Sequence, residues 1–120
     1  MGNITAEQLE ALETMAEFNE RLLKNLPTLI TELSGYRQPD TEQYQKSIMD
    51  AINWEISVTN STLEVLNQDK VRVDKEDFNG KVIALNSALS SKEDSEIADA
   101  LKALVPCFEE LGDAIQEILN

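Results

Sequence analysis

Toward the end of the chain the apolar residues Ile97, Leu101, Leu104, Phe108, Leu111, Ile115 and Ile118 recur in alternating steps of four and three. That rhythm lays one stripe along a helix and turns it toward partner helices. Ala98, Val105, Gly112 and Leu119 flank the stripe on one side, and Ala100, Cys107 and Ala114 on the other. The small flanking residues let more than one neighbour approach, so this helix reads as the spine of a helical bundle.

The same periodicity appears three more times. Thr5-Ala6-Glu7-Gln8 forms a capping box, with Ile4 and Leu9 placed to staple over it. Leu12, Met15, Phe18, Leu22, Leu26, Leu29 and Leu33 follow as an inner stripe, widened by Leu23 and Ile30, and Gly35 supplies the stop. A second helix starts at Asp40 or Thr41 with inner positions Ile48, Ile52, Ile56, Thr59, Leu63 and Leu66. The β-branched run from Ile56 to Thr62 leaves a strand as the competing reading there. Asp74, with Asp77 three residues on and Val73 able to staple onto Phe78, opens a shorter third helix through Val82, Leu85 and Leu89. Ser91 and Asp94 are the expected caps of the spine helix.

Two prolines interrupt this pattern. Pro27 and Pro106 each remove a backbone donor, and each lies off its apolar stripe, so the expectation is a kink around the core, with a split helix as the alternative. Short connections favour antiparallel neighbours. The fold class expected is all-α: an up-and-down four-helix bundle, three long helices and one short, with proline-kinked first and last helices, in a single domain over residues 1–120.

One face stays unassigned. Ala51, Trp54, Val58 and Val65 recur at helical spacing on the second helix, about 200° from Ile52 and Ile56. Either that helix is buried all round, or the Trp54 face meets a second copy or a partner helix, with Ser57, Ser61 and Thr62 as a polar rim. These four residues are the candidate protein-interaction site.

Charge and chemistry narrow the function. Ten basic residues against 23 acidic ones give a net charge of −13, which repels nucleic acid and anionic membranes and favours basic or neutral protein partners. The acids concentrate in residues 93–120, while residues 69–92, around Lys70, Arg72 and Lys75, form the sole neutral-to-basic stretch. With no histidine, a Ser-His-Asp or Cys-His device cannot be built, nor the Glu-x-x-His pair of di-iron bundles. Cys107, the single cysteine, cannot close an internal disulfide, has only Lys102 as a nearby cation, and reads as a buried inert thiol. No catalytic, cofactor-binding or metal-ligating residues are expected, and no cofactor. With no apolar run near the ~18 residues of a membrane span and no charged-then-apolar leader, the expected location is the cytoplasm. Asp94-Ser95 at a helix start resembles the Asp-Ser-Leu site at which acyl carrier proteins take phosphopantetheine, although Glu96 stands where the leucine would be.

The function expected is therefore non-enzymatic: a protein-binding bundle. Small acidic bundles of this length serve as bacterial export chaperones or adaptors, in flagellar or type III secretion, where they mask an amphipathic helix of a client. The alternatives are an acidic regulator mimicking nucleic acid and a carrier-protein-like domain. The partner expected is a protein, a client helix or a second copy in a homodimer, and neither nucleic acid nor membrane.

Overall fold

Capping, periodicity and one glycine stop divide the chain into four helices in the computed structural model, which describes residues 5–120. They are α1 (Ala6–Leu33), α2 (Thr41–Leu66), α3 (Lys75–Ser91) and α4 (Asp94–Leu119). The Thr5–Gln8 capping box forms at the head of α1: the Thr5 hydroxyl accepts from the Gln8 amide, and the Gln8 side chain accepts from the Thr5 amide. Ile4, the other half of the expected staple, lies outside the described residues. At the far end Gly35 takes a φ of +109°, a conformation that suits glycine and ends the helix. The segment from Ile56 to Thr62 is helical throughout, so the strand alternative is set aside. Asp74 caps α3 by accepting from the Asp77 amide. The start of α4 differs from expectation. Glu93 occupies the cap position without a side-chain bond, and Ser91 accepts from the Glu93 amide. Asp94, freed from capping, pairs with Arg37.

The helices run up and down, and α4 is their common support. It packs along α1 on one side and α3 on the other; α1 in turn packs along α2, and α2 touches α4 more lightly. The α2 and α3 backbones do not approach each other. The result is an elongated body of 48 × 24 × 18 Å. Ile97, Leu101, Leu104, Phe108, Leu111 and Ile115 are all buried, as the spacing requires, with Ala98, Cys107 and Ala114 beside them. Phe78 of α3 meets Phe108 of α4 edge-on, their ring centroids 6.0 Å apart. Both prolines lie on exposed positions inside uninterrupted helices, so neither helix is split.

Polar contacts hold the connections. Asn67 accepts from the amides of Arg72 and Val73 and donates to the Val73 carbonyl, folding the α2–α3 loop around one side chain. Lys70 and Arg72 then reach Glu117 near the end of α4. These pairs draw the Glu117 carboxyl below its usual range, chiefly through the Lys70 hydrogen bond.

Leu104 is fully buried and Glu109 is exposed. Leu104→Ala should therefore cost about 2–5 kcal/mol, and Glu109→Ala less than about 0.5 kcal/mol. Equal losses in a denaturant titration would contradict the assignment of α4's faces.

Candidate functional site

One layer of the bundle departs from the pattern of the rest. On α1 the buried position between Met15 and Leu22 is filled by Asn19, and Phe18, which the spacing assigns to the inner stripe, is 38% exposed. On α2 the buried positions are Thr41, Ile48, Ile52, Glu55, Thr59, Thr62, Val65 and Leu66. Ile56 and Leu63, expected inside, are only half-buried. Glu55 is 0% exposed, while its neighbour Trp54 is 37% exposed. Each helix thus turns a polar residue inward and an aromatic one outward.

The two inversions lie at one level. Along the antiparallel α1–α2 pair, Tyr44 donates to the Asn25 carbonyl, Trp54 stacks on Phe18 and Thr59 donates to the Met15 sulfur. Rising numbers on α2 meet falling numbers on α1, so Glu55 stands opposite the turn that carries Met15, Phe18 and Asn19.

The buried polar groups fare unequally. Thr59 reaches Met15 at 3.7 Å, and Thr62 donates to the Val58 carbonyl at 2.7 Å. Asn19 donates through Nδ2 to the Phe108 carbonyl of α4 at 2.9 Å, but its Oδ1 has no partner. Neither carboxyl oxygen of Glu55 has one either. Burial alone pushes the Glu55 carboxyl up to about 8, since no neighbouring charge or hydrogen bond contributes. At neutral pH it is therefore mostly uncharged, which is how a buried acid without a cation avoids the much larger cost of ionisation.

Outside this layer, Phe18 and Trp54 form a tilted pair with ring centroids 4.9 Å apart, bridging the solvent side of the α1–α2 groove. Ala51 and Val58 are half-buried beside Trp54 on the same side of α2. Val65 is not part of that surface, because it is buried in the core. Of the four candidate residues the structure thus leaves Trp54 open, Ala51 and Val58 partly so, and Val65 closed. Phe18 joins them, a residue hidden from sequence reasoning because its spacing fits the inner stripe.

Elsewhere the chemistry is sparse. Cys107 lines a narrow crevice with Thr59, Val73, Asp77, Phe78 and Leu111. Its Sγ lies 3.8 Å from Asp77 Oδ2. The cation beside it is Lys81 of α3, paired to Asp77, rather than Lys102 of its own helix. Burial still outweighs Lys81 and pushes the thiol up, so this cysteine is a poor nucleophile. Among the described residues no group of three or more metal-binding side chains forms. Nor, among them, is any helix long and apolar enough to cross a membrane.

Asn19 also sets how closely α1 and α4 approach. A Cβ added to Gly112 would come within 2.9 Å of Asn19 Nδ2, the atom that holds the Phe108 carbonyl. Gly112→Ala should therefore destabilise the protein although alanine is the better helix former by roughly 1 kcal/mol. In an Asn19→Ala background the clash is gone, and the same change should become neutral or stabilising. A double-mutant cycle by chemical denaturation checks this; equal effects of Gly112→Ala in both backgrounds would contradict it.

No curated protein and no solved structure matches the chain. Residues 10–114, which span α1 almost from its start through most of α4, match the model of a family described as a domain of unknown function, DUF8042. The chain belongs to that family.

Proposed function

We propose that this protein is a non-enzymatic binding module that presents the Phe18–Trp54 pair to another helix. The observation that carries the reading is the aromatic pair itself: two large rings stacked across a helix–helix groove and each more than a third exposed. Tryptophan contributes disproportionately to protein interfaces, because it covers much apolar area at little entropic cost. A groove between antiparallel helices is a natural seat for an amphipathic helix. The net charge of −13 selects for a basic one. The absence of histidine throughout the chain and the inert Cys107 weigh against catalysis.

The preferred occupant is a basic amphipathic helix of a partner protein, as an export chaperone or adaptor would hold, in a cytoplasmic setting. A second copy of the chain is the other occupant that the same face would accept. Proteins encoded beside this one are the first probes to try.

Trp54→Glu tests the reading. The substitution sacrifices the stack on Phe18, about 0.5–1.5 kcal/mol beyond area burial. Helical content and cooperative unfolding should survive by circular dichroism. Self-association in sedimentation velocity, or binding of a neighbour-encoded protein followed by titration calorimetry, should be lost. Unfolding of the variant at every concentration would assign Trp54 to the core and end the proposal. So would a wild-type chain that stays monomeric and binds none of those proteins.

A further inference from the structure

Among the described residues Glu55 is the one buried carboxyl, and the binding face does not use it. It occupies a seam position of α2, in the run Ile48, Ile52, Glu55, Thr59, Thr62 and Leu66, where the adjoining turns are filled by well-packed or hydrogen-bonded residues. A buried carboxyl in that place has two ways to be tolerated. It can find a cation, or it can keep its proton. Among the described residues no cation reaches it, and both its oxygens lack partners. A retained proton also gives the group a donor, and the partnerless acceptor at the same level is Asn19 Oδ1 on α1.

We propose that Glu55 is a proton-operated latch on the α1–α2 seam: protonated, it lets α2 lie closed on α1 against Asn19, and loss of the proton drives α2 away from α1. Ionisation in place would strand a carboxylate that is fully buried, with neither oxygen partnered and no neighbouring charge to offset it. Separation of the helices lets water reach the charge. Because Trp54 shares that turn of α2, opening also breaks the Phe18–Trp54 stack.

The surrounding groups leave the switch to Glu55. On α1 the facing residues Met15, Asn19 and Leu22 do not titrate, and the acids Glu17 and Glu20 are exposed. On α4 the inward titratable group is Cys107, which burial keeps as a thiol, with Glu110 at the rim of the crevice. On α3, Asp77 is tied to Lys81, and Asp74 caps its own helix.

Linkage gives the sign. The closed state holds its proton up to about 8, whereas an open, solvated carboxyl releases it near the ordinary glutamate value of 4.5. The closed state thus binds more protons through that window, and opening becomes easier as pH rises. The opening equilibrium should grow about tenfold per pH unit from roughly pH 5 to 8, then level off.

Amide hydrogen exchange along α2, corrected for the intrinsic pH dependence of exchange, measures that equilibrium in the intact chain. Wild type should lose about tenfold of protection per pH unit relative to E55Q, which keeps the shape without the titration. The carbon-13 shift of the Glu55 carboxyl in folded wild type gives the second reading, and it decides the matter should E55Q fail to fold. A midpoint near 8 is expected. Identical pH dependence in wild type and E55Q, or a carboxyl midpoint at 4–5, would overturn the latch.

Discussion

Removal from water of the apolar stripe Ile97–Ile115 on α4 is the interaction on which the rest of the protein depends. That stripe includes Leu101, Leu104, Phe108 and Ile115, each fully buried, and every large side chain of this kind is worth roughly 1.5–3 kcal/mol against exposure. α1 and α3 each close against α4, so losing the stripe would release both. α2 is the exception. It is held mainly through α1, and its backbone does not approach α3. The most loosely supported long helix is also the one that carries Glu55, Thr59 and Thr62 inward.

Much of this arrangement was legible in the sequence wherever apolarity and spacing agree. The α4 stripe, the capping box at Thr5, the cap at Asp74 and the stop at Gly35 could be read because each is a local rule satisfied by adjacent residues. The reading failed at one level of the bundle. Adjacent positions on a helix differ by about 100°, so choosing Phe18 over Asn19, or Ile56 over Glu55, moves the inward face by that angle. Hydrophobicity favours Phe18 and Ile56. Spacing alone favours the polar residues, since Met15–Asn19–Leu22 and Ile52–Glu55–Thr59 continue steps of four and three. A helix seam can be followed through a polar residue only if periodicity is given priority over composition, and nothing in one sequence says when to do so.

The same ambiguity links the two functional inferences. The aromatic pair on the outside and the carboxyl on the inside belong to one layer: Asn19 of α1 and Glu55 of α2 take the inward places expected of Phe18 and Ile56, and Trp54 stays on the face opposite the expected stripe. Reversing the roles would bury two rings and expose an amide and an acid, which gives a more apolar core and removes the exposed aromatic pair. An arrangement that forgoes apolar burial and retains partnerless polar atoms is the kind of local conflict that marks a site rather than a scaffold.

That claim, that the inverted layer is held at a cost to folding, is open to a direct measurement. Glu55→Leu replaces the partnerless carboxyl with an apolar side chain of similar reach. If the layer is costly, chemical denaturation at pH 7 should find the variant more stable than wild type, by about 1–3 kcal/mol for the desolvated group removed. A variant less stable than wild type would mean that the carboxyl supports the fold, and the account given for this layer would be wrong.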